Sequence, residues 1–257
     1  MAKQNLIAIT GDQLVHNYFL NQLSFNFELS SVFIEKTHYP NPFFNSSKEI
    51  EAWNDFFLNR SKTEKQLLKF SEHNNIQDNP NIFNIEKGFL NEDKTIETIR
   101  KLNPSKIIIF GTSLLSSKYL DLFPNKILNL HVGLSQYYRG TSCNFWPIYN
   151  LEPQFLGATV HYVNQRIDGG DIIIQDSIKL NKYDSEFTLM TKPIILGTKL
   201  IIKTINQNFL NLAANNKIQP NGKLFQIKDF DSKAIIKVNN DVSSGKLKNL
   251  LDLEATN

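Results

Sequence analysis

The sequence contains a single cysteine, Cys143, which excludes an intrachain disulfide and any metal centre built from several thiolates. No apolar run reaches the length of a membrane-spanning helix, and the N-terminus lacks the apolar segment of a signal peptide. Net charge is also small, +3 from 28 basic and 25 acidic residues, which argues against nucleic acid as a partner. These absences predict a soluble cytoplasmic protein with no membrane partner.

Two sequence motifs are missing as well. The segment T-G-D-Q-L after the first apolar run lacks the Gly-x-Gly-x-x-Gly turn of nicotinamide enzymes. A metal hydrolase would have to use His131, His161, Asp168 and Asp171, which form neither an H-E-x-x-H nor an H-x-H motif. We therefore predict no metal site.

Apolar runs alternate with helix-like segments over the first 135 residues. The predicted strands are residues 6–9, 32–34, 82–85, 106–110 and 126–131. The predicted helices follow Asp12, taken as an N-cap residue, and occupy residues 50–70 and 95–102. Such alternation is typical of a mostly parallel sheet covered by helices, an α/β fold of the Rossmann-like type.

The pattern changes in the second half of the chain. Residues 157–163 and 171–180 resemble two consecutive strands, and a covering helix from residue 195 has an apolar face through Ile202, Ile205, Phe209 and Leu212. Residues 234–238 are predicted as a strand in a small C-terminal appendage. We expect a main domain over residues 1–215 and a small extension over residues 216–257.

Polar residues mark the end of the strand at 126–131. Asn129 and His131 alternate with leucines and therefore face the same side of that strand, at the edge where parallel sheets bind ligands. Asp168 lies in a turn before Gly169-Gly170. An amide that donates to an oxyanion, an imidazole that moves a proton and a carboxylate that orients it suit acyl transfer to an amine.

The stretches NLHVGLSQYYRG, FWPIYN and GATVHYVNQRIDGGDIIIQ make this sequence similar to the folate-dependent formyltransferases. The resemblance implies an active site of Asn129, His131 and Asp168, with 10-formyltetrahydrofolate as formyl donor and a primary amine as acceptor. It also implies a Rossmann-like catalytic domain and a homodimer. The donor-binding residues that it implies are Thr112, Ser113, Leu114, Leu115, Ile167 and Asp168.

Several acceptors are open within that family. The resemblance favours the amino group of a nucleotide-linked, dTDP-type deoxyamino sugar for surface polysaccharide synthesis, because only a short extension follows the catalytic region and the charge is nearly balanced. Methionyl-tRNA and glycinamide ribonucleotide are the alternative acceptors. A non-catalytic folate-binding or regulatory protein is the alternative from another class.

Three other side chains have competing interpretations. Arg139 could bind an anionic acceptor or lie solvated in a loop. His161 is mid-strand, where packing with one hydrogen bond is favoured over a supporting role at the site. Cys143 is interpreted as a small buried apolar residue.

Overall fold

The computed structural model describes residues 5–37, 39–68, 80–207 and 221–254. The strands are β1 (Leu6–Gly11), β2 (Leu29–Glu35), β3 (Asn81–Ile85), β4 (Lys106–Phe110), β5 (Ile127–His131), β6 (Tyr138–Gly140), β7 (Gly157–Tyr162), β8 (Ile172–Ser177) and β9 (Lys223–Phe225). The helices are α1 (Leu14–Asn26), α2 (Ser47–Leu67), α3 (Asp93–Leu102), α4 (Ser117–Leu122), α5 (Trp146–Tyr149), α6 (Glu186–Asn206), α7 (Ser232–Ser243) and α8 (Lys246–Glu254). None of the described helices has an apolar stretch long enough for a membrane crossing.

Seven strands form the main sheet, in the order β3-β2-β1-β4-β5-β7-β8. The first five strands in this order run parallel to one another, whereas β7 is antiparallel to both β5 and β8. The mostly parallel, Rossmann-like sheet predicted from the alternating pattern is confirmed. The predicted strands in the first 135 residues correspond to β1 through β5.

Both faces of this sheet are buried. Along β1, Leu6 and Ala8 join one apolar cluster with α1 and α6, whereas Ile7 and Ile9 join another with α3 and α4. Because neighbouring side chains in a strand point to opposite faces, a continuous apolar run is what a doubly covered strand requires. Removal of such surface from water stabilises the sheet by about 25 cal/mol per Å².

A third apolar cluster joins the C-terminal residues to the rest of the molecule. It combines α2, α5, β9, α7 and α8, with Trp53, Phe145 and Phe230 among its buried members. A separate two-stranded parallel sheet pairs β6 with β9. The predicted domain boundary between residues 215 and 216 lies outside the described residues and stays a prediction.

The strand predicted at residues 234–238 is wrong, because this segment lies inside α7. Asp231 caps the helix by accepting a hydrogen bond from the Ala234 N–H at 2.8 Å. Ala234, Ile235 and Val238 are buried together on one helical face. That packing outweighs the weak strand preference of the β-branched residues.

Two helix predictions also need correction or limits. Asp12 is not the N-cap residue of α1; Gln13 is, and the Asp12 carboxylate instead accepts hydrogen bonds from the backbone and hydroxyl of Thr37 at 3.0 and 2.9 Å. These two hydrogen bonds link the end of β1 to the chain after β2. In α6, Ile202 and Ile205 pack on the core as predicted, and residues 209 and 212 lie outside the described residues.

Candidate active site

The end of β5 carries the first two site residues. Leu128 and Leu130 pack into the core on one side of the strand, which directs Asn129 and His131 to the other side. The antiparallel strand β7 then places His161 directly opposite Asn129. The strand register therefore brings three polar side chains to one point of a largely apolar sheet.

Asp168 reaches these side chains from the turn between β7 and β8. Its carboxylate Oδ1 accepts a hydrogen bond from Asn129 Nδ2 at 3.0 Å, and its Oδ2 accepts one from the Gly140 N–H at 2.8 Å. The Nδ1 atom of His131 lies 3.3 Å from Oδ2. The structure thus brings together Asn129, His131 and Asp168, the three residues singled out from the sequence.

The turn that carries Asp168 has an unusual backbone. Asp168 itself has a φ of 45°, in the left-handed region that aspartate tolerates better than most residues. A Cβ atom on Gly170 would lie 1.6 Å from the carbonyl oxygen of Tyr162, so only glycine fits there. The pair Gly169-Gly170 therefore lets the turn fold back against β7 and aim the carboxylate at β5.

The carboxylate is ionised and the imidazole is neutral at pH 7. Burial raises the pKa of Asp168, but in the acid range where this carboxyl titrates the positive charge of His131, contacts with His161 and the Gly140 N–H outweigh it. The pKa of Asp168 consequently lies well below its usual value. Burial lowers the pKa of His131, while Asp168 and the Tyr138 carbonyl act in the opposite direction.

His161 belongs to the same hydrogen-bond network. The sequence favours packing with one hydrogen bond for this residue, whereas the structure gives it a supporting role at the site. Its Nδ1 lies 2.8 Å from the Tyr162 carbonyl oxygen and therefore donates to it, leaving the Nε2 lone pair as an acceptor. Asn129 Nδ2 lies 3.0 Å from that Nε2. Both N–H bonds of the Asn129 amide are thus used in this arrangement, one by Asp168 and one by His161.

Arg139 stabilises the backbone around the site. Its Nε donates to the Gly222 carbonyl at 2.9 Å, and its Nη1 lies 3.3 Å from the carbonyl oxygen of Ile167, the residue before Asp168. The guanidinium therefore links the Asp168 turn to the C-terminal segment. Arg139 is therefore not a freely solvated loop arginine, whereas its role in binding an anionic acceptor stays a prediction.

A protein-family model matches the part of the chain that carries this site. Residues 57–205, more than half of the chain and including β5, β7 and the Asp168 turn, match the family model described as "Formyl transferase". The chain belongs to the formyl transferase family. Its resemblance to formyltransferases in the three quoted stretches is thereby confirmed.

The curated relatives of the chain include methionyl-tRNA formyltransferases. The chain is 33% identical to that of Finegoldia magna over 118 residues, 46% of this chain and 38% of the relative. It is 28% identical to that of Clostridium tetani over 197 residues, 75% of this chain and 62% of the relative. The alignments thus span 38% and 62% of the length of these relatives.

Solved structures show the same fold at low sequence identity. Phosphoribosylglycinamide formyltransferase from Anaplasma phagocytophilum has a TM-score of 0.58 at 17% identity, covering 87% of this chain and 99% of that one. A sugar N-formyltransferase from Shewanella sp FDAARGOS_354 has a TM-score of 0.55 at 15% identity, covering 88% and 78%. At this identity the neighbours establish the fold of the chain alone.

Residues 112–115, expected to face the donor, form the loop that follows β4. Because β4 is the parallel neighbour of β5, the loop lies at the sheet edge where β5 ends. The buried Glu35 carboxylate holds it there, accepting from the Ser113 N–H at 2.7 Å and from the Gly88 N–H at 3.2 Å. Leu114 is 64% exposed.

Glu35 was missed in the sequence interpretation. Its only signal is a carboxylate that directly follows the apolar run 32–34, where a buried strand ends. A charged residue at that position is equally compatible with solvent exposure. The hydrogen bonds to two loops identify it as an anchor of the 112–115 segment.

Proposed function

We propose that this chain transfers the formyl group of 10-formyltetrahydrofolate to a primary amine. The observation that carries the proposal is the convergence of Asn129, His131 and Asp168 at the carboxyl end of β5. A binding protein without catalytic activity has no need of a buried carboxylate beside a neutral imidazole. The proposed catalytic residues are these three.

The neutral imidazole supplies the base in this mechanism. Nε2 of His131 is in hydrogen-bond geometry with the Tyr138 carbonyl oxygen at 2.9 Å, and we assign the ring proton to this nitrogen. The lone pair is then on Nδ1, which faces Asp168 at 3.3 Å. A proton received at Nδ1 would lie beside a carboxylate, which stabilises the imidazolium that forms.

Each bond change has a residue beside it. The acceptor nitrogen attacks the formyl carbon and its C–N bond forms, which produces a tetrahedral oxyanion. Asn129 would donate to this oxyanion by exchanging one of its two present hydrogen bonds. Nδ1 of His131 takes the proton of the attacking amine and returns it, with the help of Asp168, to N10 of the folate as the old C–N bond breaks.

We further propose a nucleotide-linked deoxyamino sugar as acceptor. A pocket of about 330 Å³ lies at the ends of β1 and β2, lined by Gln13, Thr37, Tyr39, Asn41, Trp53, Asn54 and Phe57. Aromatic faces and amide groups suit a nucleobase, which offers a flat ring and a polar edge. Tyr39 of this pocket contacts the chain that follows β6: its hydroxyl lies 2.7 Å from that of Ser142, two residues after Gly140.

Methionyl-tRNA is a second candidate acceptor, favoured by the names of the curated relatives. The two acceptors differ greatly in size and charge. A polyanionic tRNA would give an activity that falls steeply with salt, whereas a nucleotide sugar would give a shallow dependence. The salt dependence of the transfer activity therefore distinguishes the two acceptors, in addition to a direct assay with each of them.

The direct assay uses purified protein, 10-formyltetrahydrofolate and one acceptor at a time. We expect release of tetrahydrofolate, together with a formylated product detected by mass spectrometry, when a dTDP-linked amino sugar is present. If tetrahydrofolate is released only with methionyl-tRNA or only with glycinamide ribonucleotide, that compound is the acceptor and the proposed amino sugar is wrong. Folate binding without release for any acceptor would favour the non-catalytic folate-binding alternative.

The Glu35→Gln variant tests the donor loop. We expect the KM for 10-formyltetrahydrofolate to rise about tenfold with a smaller change in kcat, because the amide has one acceptor oxygen for two N–H donors. Steady-state kinetics with the donor varied give both constants. Glu51→Gln, an exposed change on α2, is the matched control. An unaltered donor KM in Glu35→Gln would disprove this role for the loop.

A further inference from the structure

The three residues of β6 each hold a different part of the site. The carbonyl of Tyr138 accepts from His131 Nε2 at 2.9 Å, and the N–H of Gly140 donates to Asp168 at 2.8 Å. Between them, the side chain of Arg139 reaches the carbonyl of Ile167 at 3.3 Å. A shift of β6 by a fraction of an ångström would alter all three contacts together.

Among the described strands, β6 pairs with β9 alone. The Lys223 N–H donates to the Tyr137 carbonyl at 2.8 Å, and the Thr141 N–H donates to the Phe225 carbonyl at 2.9 Å. The chain segments that lead into the two strands also lie close together: a Cβ on Gly222, just before β9, would lie 2.7 Å from the carbonyl oxygen of Ser135, before β6. Hydrogen bonds from a segment that follows β6 by more than 80 residues thus help to hold it in place.

Phe225 is the side chain that keeps these strands together. Its ring stacks on Trp146, with centroids 4.3 Å apart and an interplanar angle of 11°, and on Tyr138, with centroids 5.9 Å apart. Only 7% of Phe225 is exposed. Aromatic stacking of this kind adds to the burial of apolar area.

We propose that β9 is a positioning element of the site. By pairing with β6 it fixes the backbone groups that orient His131 and Asp168, and Phe225 is the positioning residue that holds the pair of strands in register. The kinetic consequence rests on the proposed formyl transfer. The consequence for the geometry of His131 does not depend on that activity.

The state of the His131 ring reports on this geometry. Charged and titratable groups face the ring from three sides: Asp168 on the turn after β7, His161 on β7 and Arg139 on β6. The Tyr138 carbonyl favours a proton on Nε2 and raises the pKa of His131. Loss of that carbonyl would mix the two tautomers and lower the pKa further, whereas Asp168, His161 and Arg139 remain in both proteins.

The test compares Phe225→Ala with Leu251→Ala. Leu251 is a buried residue of α8 in the same apolar cluster, and α8 packs against α7, so its loss removes core packing outside the pairing of β6 with β9. In Phe225→Ala we expect kcat to fall about 10- to 100-fold with little change in either KM, as for a small misplacement of reacting groups. Phe225→Leu, which keeps most of the apolar volume, should recover much of the loss.

The second measurement is ¹⁵N NMR of the histidine rings, with His131 assigned from a His131→Gln variant. We expect Nε2–H to dominate in the wild-type protein and in Leu251→Ala, and a tautomer mixture with a lower titration midpoint in Phe225→Ala. Identical His131 signals in Phe225→Ala and wild type, or an equal change in Leu251→Ala, would overturn the proposal. Absent formyl transfer by the wild type would refute the proposed function alone, and the NMR comparison would still decide the role of β9.

Discussion

Replacement of Asp168 with asparagine is expected to lower kcat by about 10²- to 10⁴-fold, the range of a lost acid–base group. The carboxylate accepts from Asn129 and from Gly140 and faces His131 Nδ1. Asparagine has one acceptor oxygen and an NH₂ group, so one of these donors would face another donor. The imidazolium formed during the reaction would also lose its counter-charge.

The matched control is Asp171→Asn, an exposed change in the same I-D-G-G-D segment. Single-turnover formyl transfer measured with both variants separates chemistry from product release. We expect Asp171→Asn to match the wild type. Retention of a tenth or more of the wild-type rate by Asp168→Asn would contradict the proposed role of the carboxylate.

Acid stability gives an independent check on the same residue. The folded-state pKa of Asp168 lies below that of an unfolded aspartate, about 3.9. The ionised carboxylate therefore stabilises the fold above that pH, and this contribution disappears as the pH falls through the folded pKa. Thermal unfolding below pH 4 should accordingly depend less on pH in Asp168→Asn than in the wild type.

The second large effect is expected for Asn129→Ala, with kcat lowered about 10²- to 10³-fold, as for the loss of one oxyanion donor. Its amide donates to both Asp168 and His161 in the present arrangement, so the variant also disturbs the network. Because Asn129 and Asp168 share a hydrogen bond, the double variant should lose less than the sum of the single losses.

A double-mutant cycle on single-turnover rates measures this coupling. Asn84→Ala, which removes an exposed amide from the edge strand β3, is the control for a simple Asn-to-Ala change. Additive losses at Asn129 and Asp168 would mean that the two side chains act separately. A wild-type rate in Asn129→Ala would exclude it as an oxyanion donor.

Local patterns predict much of this fold because burial leaves a direct mark on them. The run Ile107 to Ile109 must be covered on both faces, and the alternation around Asn129 and His131 fixes which side the polar groups share. The α7 helix was mistaken for a strand because its isoleucines carry a weak strand preference. Its capping Asp231 and the tertiary packing of one face decide otherwise.

Long-range contacts account for the parts of the site that local patterns do not determine. His161 is one polar residue in an apolar strand, and only the pairing of β7 with β5 shows that it faces Asn129. Glu35 is equally ordinary in the sequence, and its partners come from two separate loops. Local periodicity contains no information on such pairings, which depend on how distant strands align.

The pairing of β6 with β9 has a consequence for biosynthesis. Arg139 and the carbonyl that it binds at Gly222 are 83 positions apart, so a nascent chain completes β1 to β8 before the partner of β6 leaves the ribosome. Until then the rings of Tyr138 and Trp146 lack the cover of Phe225 and present apolar surface to chaperones. The pairing that holds β6 is therefore a late event in the maturation of this polypeptide.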